Sequence, residues 1–239
     1  MNNKVNLFFL PHAGGSAMGY MSFKRFLDNS LINPIPLELP GRGKLIKEKP
    51  INNTSECVNF LFESIKDIIC NSKYAFFGHS LGSILTYELI KLIEKEEMPS
   101  PITSIFSGRM APFISYEHTP ISHLDDEDFI DNFSSLNGIP EEIMHNKQIL
   151  QMIIPILKSD VKMAEDYVCQ TKDDKFDFNI HVFYGNQDTM IKNITDLTDW
   201  NLCTTKKCTL HEFDGDHFYY NKNKAYVCSC INNIINEEV

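Results

Sequence analysis

Positive charge is short in this chain relative to negative. Its 22 Lys and Arg stand against 32 Asp and Glu, a formal net charge of −10. A nucleic-acid binder needs a basic face, so the balance argues against that class. Cysteine is present but unorganised. Seven is an odd number, and the closest pair, Cys228 and Cys230, has no second pair or histidine cluster to complete a zinc site. The cysteines read as free thiols of a reducing compartment. Long apolar runs are missing too. The stretch before Pro11 is too short for a signal h-region and far too short to span a bilayer, so the expectation is a soluble, cytoplasmic protein. With 43% hydrophobic and 23% charged residues, disordered, collagen-like and coiled-coil classes are excluded by composition. A chain of 239 residues can bury a sizeable core without staples, as one domain or two.

Short apolar runs alternate with longer amphipathic stretches. Strands are predicted at 5–10, 36–39, 74–77, 102–106, 180–184 and 208–213. Helices are predicted at 17–27, 54–69, 81–94 and 224–235. Within 54–69, Val58, Leu61, Phe62, Ile65, Ile68 and Ile69 recur at helical spacing, and Thr54 is the candidate N-cap. Strands that are apolar almost throughout, alternating with helices, imply an α/β class: a mostly parallel sheet with helices on both faces. Residues 109–177 break the rhythm and are too long for a plain loop. They read as a helical lid insertion, with helices at 126–133, 141–157 and 160–169. Met144, Ile149, Met152, Ile153 and Ile156 form an apolar stripe there, which reads first as helix core and second as a pocket lining.

The strongest chemical signal is Gly78-His79-Ser80-Leu81-Gly82, between a predicted strand and a predicted helix. That is the context a nucleophile elbow of the G-x-S-x-G type requires. The competing reading is an ordinary strand-to-helix turn with a capping Ser. A serine hydroxyl needs a base, and this fold predicts the order Ser, acid, His. Asp188 follows the strand at 180–184, and His217 lies beyond the last strand on the turn Gly215-Asp216-His217. Six of the eight histidines precede Asp188, and His211 falls within a predicted strand. Asp214 and Asp216 are alternative acids, but a residue so close to His217 projects elsewhere. Ser80, His217 and Asp188 are thus the candidate catalytic triad for acyl transfer. Two backbone N–H groups should form the oxyanion hole: Leu81, which follows the nucleophile, and Ala13 in the loop His12-Ala13-Gly14-Gly15. That loop lacks the Lys of a phosphate-binding P-loop. No metal and no organic cofactor is implied.

The chain resembles the type II thioesterases of non-ribosomal peptide and polyketide synthesis, within the α/β-hydrolase superfamily. The segments that carry the likeness are LFFLPHAGGSA (7–17), LELPGRG (37–43), FFGHSLG (76–82), IFSGRMAP (105–112), Leu157-Lys158-Ser159-Asp160, Asp166-Tyr167, VFYGNQD (182–188), Trp200 and FDGDHFYY (213–220). The last block departs from the family, which often carries a second Gly where Asp216 stands. The resemblance implies a single α/β-hydrolase domain over 1–239 with a lid at 109–177. It also implies hydrolysis of acyl, aminoacyl or peptidyl thioesters on the phosphopantetheine arm of carrier proteins, with that arm belonging to the substrate. The family's oxyanion donors match Ala13 and Leu81. Animal thioesterases that release medium-chain fatty acids are similar as well. Two further readings stay open: an esterase for small soluble esters, and a non-catalytic adaptor.

Carrier proteins of this kind tend to be acidic, so docking to an acidic chain needs a local basic rim. Arg42, Lys44, Lys47 and Lys49 form the candidate cluster, although solvated loop lysines are the slightly favoured reading of it. Arg42 and Arg109 are two of only three arginines, against 19 lysines. Such sparing use suggests bidentate bonds that tie loops together.

Overall fold

The computed structural model describes residues 4–114, 119–134, 145–170 and 175–239. Six strands form one sheet in the order β2-β1-β3-β4-β5-β6, and every neighbouring pair is parallel. They are β1 (Val5–Leu10), β2 (Ile32–Pro36), β3 (Tyr74–His79), β4 (Thr103–Ser107), β5 (Ile180–Gly185) and β6 (Cys208–Phe213). The sequence predicts this sheet because side chains on both faces are buried. Phe8, Leu10 and Phe76 point into one core, with α2 (Thr54–Ile69) and α3 (Leu81–Lys95). Leu7, Phe9 and Phe77 point into the other, with the final helix (Lys224–Glu238). The order reverses between β1 and β3, whose ends meet at the Leu10–Gly78 pair. Crevices for ligands form at the carboxyl ends of strands where an open sheet reverses in this way.

Several boundaries move. The second strand is Ile32–Pro36, not 36–39. Proline cannot donate to a ladder, yet β2 is an edge strand in which Pro34 pairs with Leu7 and Pro36 with Phe9. The predicted helix at 17–27 is a short α1 (Ala17–Tyr20) that tightens into a 3₁₀ turn over Met21–Arg25. The N-cap of α2 is Asn53, whose side chain accepts from Glu56 N at 3.0 Å. Thr54 lies inside the helix instead, and its hydroxyl donates to the Met163 carbonyl at 3.4 Å. All seven cysteines are free. Among the described residues, no helix is long and apolar enough to cross a membrane.

Between β4 and β5 lie α4 (Asp126–Ser134) and α5 (Lys147–Glu165). The two helices predicted at 141–157 and 160–169 are one, running through Pro155; residues 141–144 lie outside the described residues. A mid-helix proline costs about 3 kcal/mol. Burial of Ile154, Ile156, Leu157, Val161 and Met163 on both sides of it offsets that cost. The predicted stripe holds in part: Ile156 is buried, and Ile153 packs against the cluster that α5 forms with α4. Ile149 and Met152 are exposed, and Leu157 and Val161 instead pack with Phe129, Ile130 and Phe133 of α4. Met144 lies outside the described residues. Short helices at Ile194–Thr198 (α6) and Tyr219–Lys222 (α7) precede the closing α8 (Lys224–Glu238).

The sheet and α3 meet tightly at Gly82, where an added Cβ would fall on the Leu10 carbonyl oxygen and lie 2.9 Å from that of Pro11. Backbone cannot yield as a side chain does. Gly82→Ala should therefore cost at least about 1–3 kcal/mol of stability, measured by urea unfolding; an unchanged midpoint would contradict this packing.

Candidate active site

β3 ends in a turn that only a few sequences tolerate. Ser80 has φ 55° and ψ −114°, outside the ordinary regions for a non-glycine residue. Its N–H donates to the Ser107 carbonyl at 2.8 Å, and its carbonyl accepts from Ser83 N at 2.9 Å. The serine occupies the N-cap position of α3, yet its side chain makes no capping hydrogen bond. The reading of Ser80 as an ordinary capping residue therefore fails. Its Oγ makes no hydrogen bond with any described residue, His217 included, so the hydroxyl is uncommitted.

The strand-end loops after β5 and β6 bring Asp188 and His217 together. Asp188 Oδ2 lies 2.7 Å from His217 Nδ1, and both side chains are buried. The other carboxylate oxygen accepts from Met190 N at 2.9 Å. With Nδ1 donating to the carboxylate, Nε2 is the ring nitrogen left to accept a proton. The alternative acids are occupied elsewhere. Asp214 accepts from Gln187 Nε2 at 3.2 Å, and Asp216 accepts from Phe218 N at 2.9 Å. His211 is a sheet residue, as predicted, with Nε2 at 2.9 Å from His181 Nδ1. His79, beside Ser80, has its ring centroid 4.7 Å from that of His217, which places the elbow and the Asp188–His217 pair side by side.

The loop after β1 borders the same crevice. Its neighbouring amides are in use: Gly14 N donates to Asp160 Oδ2 at 2.7 Å, and Gly15 N donates to the His12 carbonyl at 2.9 Å. Ala13 N–H makes no hydrogen bond with a described residue, and Leu81 N–H opens α3, where the first amides have no partner within the helix. Both predicted donors thus keep capacity for an external oxygen.

Sequence reasoning overlooked a layer of polar aromatic groups beneath the site. His79 Nδ1 is 2.8 Å from Ser107 Oγ, which is 2.6 Å from the Tyr219 hydroxyl. His12 Nδ1 is 3.1 Å from the Tyr220 hydroxyl. The segments SGR-x-AP and FDGDHFYY supplied the signal, but only pairing across the fold reveals the contacts. Burial holds both histidines neutral: the pKa of His12 falls to about 3 and that of His79 well below its ordinary value, with the nearby His217 adding to both shifts.

Arg42 does not belong to a docking rim. Its guanidinium is buried and forms a two-pronged ion pair with Asp160, NH1 to Oδ2 at 2.5 Å and NH2 to Oδ1 at 2.7 Å. It ties loops together, as its scarcity suggested. Lys44, Lys47 and Lys49 are exposed. Arg109 contributes through its backbone, where its carbonyl accepts from the Trp200 indole at 3.0 Å. Among the described residues, no group of three or more His, Cys, Asp or Glu is placed to hold a metal ion. A groove of about 800 Å³, lined by Asn53, Lys91, Met163 and Tyr167 among others, touches none of Ser80, Asp188 or His217.

Residues 5–235 match the family model described as a thioesterase domain. The chain belongs to the thioesterase family. This thioesterase is 30% identical to the gramicidin S biosynthesis protein GrsT of Aneurinibacillus migulanus, over 92% of this chain and 85% of that one. It superposes on ClbQ from the colibactin NRPS/PKS pathway with a TM-score of 0.93, at 30% identity, covering 98% of both chains. BorB, a type II thioesterase from the borrelidin biosynthetic cluster, is similar at 28% identity and a TM-score of 0.87, covering 97% of this chain and 93% of that one. The enzyme is a hydrolase with the α/β-hydrolase architecture and the serine nucleophile usual for it.

The neutral His12 has a consequence for stability. An unfolded thioesterase takes up a proton on this residue near pH 6.5, whereas the folded loop refuses it until about pH 3. Stability therefore falls as pH drops through that window, by up to about 1.4 kcal/mol per pH unit for this residue. In His12→Gln, the unfolding free energy should fall less steeply between about pH 6 and about pH 4, by up to that slope. Parallel curves for the two proteins would contradict the assignment.

Proposed function

We propose that this chain is an editing thioesterase that hydrolyses acyl, aminoacyl or peptidyl thioesters from the phosphopantetheine arm of carrier proteins. The observation that carries the reading is the buried 2.7 Å Asp188–His217 pair beside a strained, uncapped Ser80. A cleared arm returns to synthesis, which is the use such an activity has in pathways like those of the relatives.

In the proposed mechanism, His217 Nε2 takes the proton as Ser80 Oγ attacks the thioester carbonyl carbon. The carbonyl π pair moves to oxygen, which the Ala13 and Leu81 N–H groups stabilise. Collapse breaks the C–S bond, and the thiol leaves with the proton from His217. A water then attacks the acyl-Ser80 ester by the same route, giving a free acid and restoring Ser80. Asp188 holds the imidazole with Nδ1 protonated and stabilises the imidazolium that forms. No cofactor is needed beyond the substrate's own arm. Residues 109–177 would act as the lid of the single domain, and a cytoplasmic setting suits seven unbridged cysteines.

The test is a panel of acyl, aminoacyl and peptidyl groups loaded on one carrier protein, compared with small oxygen esters. Carrier thioesters should win in kcat/KM. Soluble esters winning by orders of magnitude would replace this reading with a general esterase. Ser80→Ala should lower kcat by about 10⁶, and a variant retaining most activity would remove Ser80 from its role. For docking, charge reversal at the exposed Lys44 and Lys47 should raise KM for carrier-bound acyl groups alone. An unchanged KM would remove the basic rim from the account.

A further inference from the structure

The oxyanion loop is held from outside the sheet. Asp160, on α5 of the insertion, is fully buried, and its Oδ2 accepts from both Gly14 N and Arg42 NH1. The same Arg42 NH1 donates to the Gly15 carbonyl at 3.1 Å. Arg42 and Asp160 together therefore grip both residues that follow Ala13. One turn earlier on α5, Leu157 packs where a side chain at Gly14 would be. A Cβ there would fall on Leu157 Cδ2, and Gly14 has φ +76°. The other side of the loop is fixed by the Tyr220 hydroxyl on His12 and by Glu38 Oε1, which accepts from Ala17 N at 3.1 Å. Of these restraints, only the one at Gly14 comes from the insertion.

We propose that Asp160 is a positioning residue that aims the Ala13 N–H at the developing oxyanion, coupling the seating of α5 to the completeness of the oxyanion hole. The proposal rests on the assignment of Ala13 as an oxyanion donor. A peptide plane turns as a unit, so the bond at Gly14 N fixes the Ala13–Gly14 plane, and with it the loop that presents Ala13 N–H. When α5 lifts, Gly14 N loses its acceptor, and Arg42 loses the carboxylate that orients its fork beside Gly15. Transition-state stabilisation is then lost while the Ser80 elbow and the Asp188–His217 pair remain in place.

Asp160→Asn keeps size and shape but loses one acceptor and half of the fork with Arg42. Two ligands with the same acyl chain separate positioning from general disruption. A boronic acid forms a tetrahedral adduct on Ser80 whose charged oxygen needs the oxyanion hole; an inert amide keeps a neutral, planar carbonyl and develops no oxyanion. For the folded variant, kcat and boronate affinity should both fall about 10- to 100-fold, below the roughly 10²–10³ expected for removing a donor outright. KM and amide affinity should stay within about threefold. Lys158→Met, which breaks the bonds to Leu124 and Asp126 inside the insertion, should leave the boronate-to-amide ratio unchanged. Equal losses for both ligands, or an unchanged kcat, overturn the proposal. If Asp160→Asn does not fold, Arg42→Lys carries the same comparison, since it keeps the charge and loses the fork. A wild type that binds the boronate no more tightly than the amide refutes the underlying oxyanion-hole assignment instead.

Discussion

The site depends on one backbone conformation, that of Ser80. A residue held outside the ordinary regions costs about 1–3 kcal/mol and persists only where its surroundings over-determine it. Here they do. Ser83 Oγ, one turn into α3, bonds the Gly78 carbonyl at 2.8 Å and both backbone groups of Ser107 at 3.0 Å, locking β3, β4 and the helix together. Gly82 lets that helix lie against the end of β1. Because the turn cannot relax, the Ser80 side chain is held off the cap it would otherwise form. The strain is thus spent on presenting an oxygen.

Around that oxygen the fold assembles an environment with little mobile charge. Three histidine rings crowd together, with His79 lying 5.9 Å from His12 and 4.7 Å from His217. Three cations in that space would repel one another strongly. Burial keeps His12 and His79 neutral, and only His217 faces a carboxylate. The proton that moves in the proposed reaction consequently has one place to go. Neutral hydroxyls meet the Nδ1 atoms of the other two rings, Ser107 at His79 and Tyr220 at His12, and His79 Nε2 is buried with no hydrogen-bond partner among the described residues.

What was legible in the sequence follows from how local its cause is. β1, β6 and α2 begin and end where apolar periodicity says, and the elbow and the strand-end positions of Asp188 and His217 follow from motif and order. The errors trace to causes that periodicity does not carry. β2 sits earlier than its apolar run because an edge strand tolerates Pro34 and Pro36. Asn53 displaces Thr54 as cap because Thr54 is drawn toward Met163. α5 survives Pro155 because both halves bury apolar faces. Arg42 looked like a surface cation beside three lysines, since its partner Asp160 is 118 positions away.

The central claim is that Ser80 carries the acyl group between the carrier's thiol and water. Rapid acid quench of the enzyme with an acyl-loaded carrier protein, followed by peptide mapping by mass spectrometry, tests it most directly. The account predicts a transient mass increase equal to the acyl group minus one hydrogen, confined to the peptide containing Ser80 and absent in Ser80→Ala. An acyl adduct on another residue, or turnover at the wild-type rate by Ser80→Ala, would contradict it.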